Sequence, residues 1–121
     1  MSSLLPHDHE ADKNAELLKR IVSKTDNFLI VSEIFKQLSD CNRTRIFWLL
    51  CHCEECVVNI SAFVDMTPPA VSHHLKQLKA GGLIVSRRDG KEMYYKAADT
   101  EQSRLLHEMI EQVIEVACPE A

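Results

Sequence analysis

The sequence predicts a mostly α fold with one small β-hairpin, on three observations. A helical stripe at Val71, Leu75 and Leu78 (i, i+4, i+7) stops at Gly81-Gly82. Two strand-like runs, Leu83–Arg88 and Lys91–Lys96, flank Asp89-Gly90, a strong hairpin-turn pair. Apolar residues before and after this block recur at helical spacing. The order is α-α-α-α-α-β-β-α, with the hairpin as a wing: a winged helix-turn-helix.

The elements follow in order. Residues 1–10 are polar, include Pro6 and are expected to form a mobile arm. Residues 11–121 are expected to form a single winged-helix domain. Ala11–Lys24 reads as a helix with Leu17, Leu18, Ile21 and Val22 on one side, and Phe28–Leu38 as a second with Val31, Ile34, Phe35 and Leu38. Asp40 caps a third, burying Ile46, Phe47, Leu49 and Leu50, with Trp48 on another face. Val57–Val64 is a short apolar helix, and Asp65-Met66-Thr67 is a tight turn in which Asp65 tolerates the left-handed conformation. Thr67 is an N-cap and Pro68 suits the first turn of the next helix. The last helix starts at Asp99 or Thr100 and runs through Val116. Its apolar stripe (Leu105, Leu106, Met109, Ile110, Val113, Ile114, Ala117) is wide for a helix covering one core, which suggests a partner chain; the alternative is a monomer packing it on its own core.

Charge is concentrated where a nucleic acid would need it. The chain carries net −4, yet Thr67–Lys96 holds six cations and two anions, a local +4 that leaves −8 elsewhere. Phosphate binding needs a basic patch, not a basic protein. The second helix of the motif would enter the major groove. Thr67, Ser72, His73, Lys76 and Gln77 are its candidate contacts, with Arg87, Arg88 and Lys91 reaching backbone or minor groove from the wing. A solvated basic face on a helix–hairpin, or a winged helix that binds protein, is the alternative.

Asp40-Cys41-Asn42-Arg43-Thr44-Arg45-Ile46 resembles the D-x-x-R-x-x-I helix start of the ArsR/SmtB family, and Ala70-Val71-Ser72-His73-His74-Leu75 its A-V-S-x-H-L recognition helix. Gly81-Gly82-Leu83-Ile84 and the wing match as well, and the resemblance spans roughly residues 28–117. Cys41 stands where the family usually carries Pro. The resemblance implies a homodimeric repressor, joined by its N- and C-terminal helices, on palindromic double-stranded operator DNA.

Cys51-His52-Cys53-Glu54-Glu55-Cys56 is the second chemical feature. Residues two apart on a helix do not face one another, so Cys51 and Cys53 share an ion only if the helix ends near His52. Thiolates select soft or borderline ions such as As(III), Cd(II), Pb(II), Zn(II) or Cu(I). Three thiolates suffice for As(III), whereas tetrahedral Zn(II) or Cd(II) needs a fourth donor, which His52, or His7 or His9 of the arm, could supply. By resemblance, Cys56 matches the first Cys of the family's E-L-C-V-C-D-L metal motif, Val58 occupies the second, and the arm resembles those completing metal sites in some relatives. Buried, incidental cysteines and a disulfide- or polysulfide-forming sensor are the alternatives.

The family's last-helix metal site carries over to Asp99, Glu101, Gln112 and Glu115, a set without imidazole. His107 and Glu111, at i, i+4, could chelate but are out of that register, and a solvated acidic face is the preferred reading. No Gly-rich phosphate loop, H-E-x-x-H or G-x-S-x-G occurs, so an enzyme is not expected. No apolar run of membrane-spanning length and no secretory leader pattern is found, and five Cys suit a reducing compartment; a cytoplasmic location is expected.

Overall fold

The computed structural model describes residues 5–7, 14–118 and 120. They fall into two units divided between Phe35 and Lys36. The first holds α1 (Ala15–Val22) and most of α2 (Thr25–Gln37), neither of which buries a residue. Most of the expected arm, His9 included, lies outside the described residues, and His7 is exposed.

In the second unit Asp40 caps α3 (Cys41–Leu50), its carboxylate accepting the Arg43 amide at 2.9 Å. This helix buries Ile46, Phe47 and Leu50 and leaves Trp48 and Leu49 half-buried, so Leu49 is less deep than expected. It ends where the spacing of the cysteines required: the amides of His52 and Cys53 both fold back onto the Leu49 carbonyl, at 2.9 and 3.1 Å. The chain then straightens into β1 (Glu55–Cys56). A two-residue strand leaves no periodicity to read, and the sequence predicted a hairpin alone.

Cys56 is the N-cap of α4 (Val57–Val64), which ends at Asp65 in the left-handed conformation, φ 57°. Thr67 then caps α5 (Pro68–Ala80), accepting the Ala70 amide at 3.4 Å, with Pro68 in the first turn. These two helices pack on each other and α5 also packs on α3; α5 buries Val71, His74, Leu75 and Leu78. Beyond α5 the Leu83 amide reaches back to the Leu78 carbonyl, and Gly82 (φ 77°) supplies the left-handed residue this stop requires.

The wing is β2 (Ile84–Asp89) against β3 (Glu92–Ala97), with Asp89 opposite Glu92. The two-residue loop is therefore Gly90-Lys91, one residue later than Asp89-Gly90. Gly90 (φ 65°) takes the first central position, where a twisted hairpin favours Gly. β1 pairs antiparallel with β3, Glu55 opposite Tyr95 and Cys56 opposite Tyr94, giving a three-stranded sheet in the order β1-β3-β2. Last comes α6 (Glu101–Ala117), capped by Thr100 and fixed by Ser103, whose hydroxyl donates to the Leu83 carbonyl at 3.1 Å. Only Ser103 and Leu106 of α6 are buried, while Leu105, Val113, Ile114 and Val116 are exposed.

Candidate functional site

The helix α5 divides its side chains between the core and solvent. Val71, Leu75 and Leu78 face the core, while Thr67, Ser72, His73 and Lys76 are exposed and Gln77 is half-exposed. His74, adjacent to this set, turns inward. Its Nδ1 accepts from Arg43 Nε at 3.5 Å, and its Nε2 lies 3.9 Å from the Asp40 carboxylate. Burial holds His74 below the ordinary imidazole range, with Asp40 pulling the other way. It is a packing residue that sets α5 on the start of α3.

The wing cations differ in state. Arg88 and Lys91 are exposed near the hairpin tip. Arg87 is engaged: it donates to both oxygens of Glu54 at 2.9 and 2.8 Å, lies 3.7 Å from Asp89, and sits over the Tyr94 ring at 4.9 Å. The Arg87 hydrogen bonds hold the Glu54 carboxyl below its usual range. Lys79 of α5 reaches the wing through Ser86, at 2.7 Å.

The cysteines are placed unequally. Cys51 and Cys53 are half-buried and line one cavity of about 410 Å³ with Glu54, Asp99, Arg104 and His107. Cys56 is buried in β1. Burial, then the charge of Glu111, pushes the Cys51 thiol up to about 11. Cys53 is also raised, by burial and then Glu55, and its thiol donates to the Leu49 carbonyl at 3.5 Å. All three thiols are free, but they do not form a group converging on one point.

Among the described residues, the donors that do converge are His52, His107 and Glu111. The two imidazole Nε2 atoms are 3.0 Å apart, and Glu111 Oε1 lies 3.7 Å from that of His52 and 3.3 Å from that of His107. Spacing showed the His107–Glu111 pair; it could not show that His52, fifty-five residues from His107, completes it. The carried-over last-helix set lies apart from this trio in its bonding. Asp99 takes Arg104 at 2.6 Å, Gln112 donates to Glu108 at 3.3 Å, and Glu101 and Glu115 are exposed.

Comparison with known proteins places the chain among bacterial regulators. Residues 40–86 match the family described as bacterial regulatory protein, arsR family. Over 81 residues the chain is 43% identical to the cadmium resistance transcriptional regulatory protein CadC of Listeria innocua, covering 64% of this chain and 68% of that one. It is 32% identical to the transcriptional repressor SmtB homolog of Synechocystis, over 78% of this chain and 71% of that one. It is also similar to the solution structure of the homodimeric winged helix-turn-helix DNA-binding domain of Mb0332 from Mycobacterium bovis. That similarity has a TM-score of 0.64 and 28% identity, over 90% of this chain and 91% of that one.

Proposed function

The chain belongs to the arsR family of bacterial regulatory proteins, and from that premise we propose that it is a homodimeric, operator-binding transcriptional repressor released by a soft metal or metalloid ion. The observation that carries the DNA-binding part is the presentation of α5. Thr67, Ser72, His73 and Lys76 stand clear of the protein on one helix, flanked by Arg88 and Lys91 of the wing. Phosphate contacts from the cations would set register, and the polar side chains of the α5 face would read base edges.

Dimerisation is supported by the apolar surface left over. Leu105, Val113, Ile114 and Val116 of α6 are exposed. An apolar groove of about 570 Å³ also opens between α3, α4 and α6, lined by Trp48, Leu49, Phe63, Ile110 and Ile114. A second copy would cover such surface, and two recognition helices about 34–36 Å apart would then meet successive major grooves. No described helix is long and apolar enough to cross a membrane; the cytoplasm is the proposed location.

For the inducer, the proposed donors are Cys51, Cys53 and Cys56, with Cd(II) favoured by the similarity to a cadmium-resistance regulator, and As(III), Pb(II) and Zn(II) as the other candidates. The sulfurs do not converge in this conformation. An ion that needs all three therefore binds better to a conformation in which they do, and it shifts the population that way. Cys56 caps α4, so gathering the thiols moves the first helix of the helix-turn-helix. A coupling of about 1–3 kcal/mol is typical of such switches.

The test is selection of duplexes from a random library by the reduced protein. Enrichment of a palindrome with half-sites about ten base pairs apart, bound by two chains, is the expected result. A protein that enriches no sequence would refute the reading.

A further inference from the structure

We infer that His52, His107 and Glu111 form a binding site for a borderline divalent transition-metal ion, with donors other than the thiolates. Two elements build it. His52 follows α3, its amide held on the Leu49 carbonyl at 2.9 Å. Its ring packs on the Trp48 indole at 4.3 Å between centroids, which fixes the ring plane. His107 and Glu111 stand one turn apart on α6, whose start is pinned by the Ser103–Leu83 hydrogen bond. The two imidazoles meet edge to face at 4.8 Å with their Nε2 atoms turned together.

The spacing of the donors admits an ion. A triangle with sides 3.0, 3.3 and 3.7 Å has a centre about 2.0 Å from each corner. Zn–N and Zn–O bonds are about 2.0–2.2 Å. An ion just out of the plane of the three donors therefore reaches all of them with almost no movement. His107 is half-buried, while the side chains of His52 and Glu111 are more open to solvent, so a fourth position opens to water.

The donor set also states which ions fit. Two imidazoles and one carboxylate suit Zn(II), Co(II) and Ni(II). They do not suit As(III), which takes thiolates. The site therefore differs in selectivity from the cysteine cluster, although His107 lines the same cavity as Cys51 and Cys53. It differs in consequence too. The three donors are already together, so an ion here stabilises this conformation by clamping α6 to the end of α3, whereas gathering the thiols requires leaving it.

The test needs no DNA, so it stands or falls independently of the repressor reading. The reduced full-length chain is titrated with Co(II), following ligand-field absorption, and with Zn(II), following the melting temperature. His107→Gln and Glu111→Gln are each introduced into a Cys51→Ser/Cys53→Ser variant, which removes two of the thiols proposed for the inducer, and run beside it. Both single changes fall at partly exposed positions, and unchanged metal-free melting curves would verify their folding. The expected result is one Co(II) per chain without sulfur charge-transfer bands in the serine variant, and Co(II) uptake by wild type as well. Zn(II) should raise the melting temperature of both. Uptake should weaken by more than about tenfold in His107→Gln and in Glu111→Gln. Uptake by the serine variant that survives both of those changes, or no uptake by the serine variant, would overturn the site.

Discussion

Arg87 of the wing and Glu54 of the cysteine segment are joined by two hydrogen bonds, at 2.9 and 2.8 Å. The pair links the segment carrying Cys53 and Cys56 to the strand carrying Arg88. It also neutralises one wing cation that phosphates would otherwise attract. Both side chains are solvent-accessible, so the pair contributes little to stability. Under the proposed function, its effect would fall on DNA binding.

Glu54→Gln should release Arg87 toward the phosphate backbone. Operator affinity is expected to tighten at low salt, and the slope of log K against log salt to steepen by about 0.9, one phosphate contact. Fluorescence anisotropy across a salt series measures both. An unchanged slope would show that Arg87 stays off the DNA even when free.

Lys76 is exposed on α5 and points away from the core stripe. Lys76→Ala should weaken binding to every duplex by a similar factor and flatten the salt slope by about one contact. Ser72→Ala should instead change which sequences are preferred, with mismatch penalties of about 1–3 kcal/mol relaxed at one position. Comparing selected and scrambled duplexes separates the two effects.

His74 makes stability depend on pH. Asp40, Arg43 and His73 are the charged or titratable groups facing it. Burial lowers its folded-state value below the ordinary 6.5, despite Asp40. The unfolded chain therefore takes up the proton first as pH falls. The contribution of His74 is complete above about pH 6.5 and declines as pH drops below it. Urea unfolding at pH 7.5 and pH 5.5 should show wild type losing stability, and His74→Gln losing less. Equal losses in the two proteins would remove His74 from the account.

Thr67→Ala removes a side chain that satisfies the Ala70 amide at the start of α5. The expected cost is about 1 kcal/mol, or a fall of about 3–6 °C in melting temperature for a domain of this size. Thermal unfolding by circular dichroism checks it; no change would mean water replaces the cap.

The Thr67 cap was legible in the sequence because it is local, as were the left-handed Asp65 and the stop at Gly81-Gly82. Each depends on residues within one or two turns, where propensity and backbone geometry decide. What could not be read is long-range. The strand Glu55–Cys56 exists only through Tyr94 and Tyr95. Glu54 meets Arg87 across thirty-three residues, and His52 meets His107 across fifty-five. The cysteine spacing pointed to one cluster, but the turn after Leu50 puts Cys51 and Cys53 on a cavity wall and Cys56 in the sheet. The same turn carries His52 to α6. A shift of one residue in the hairpin loop has a local cause: Gly90, not Asp89, takes the positive φ.

The central claim is that metal at the cysteines lowers operator affinity. The decisive measurement is anisotropy of a selected duplex bound by the reduced protein, titrated with Cd(II), for wild type and Cys51→Ser/Cys53→Ser. The account predicts release of wild type, with an affinity loss of about 5–150-fold, and retention of DNA by the serine variant. Wild type that holds its duplex equally well with Cd(II) bound would contradict it.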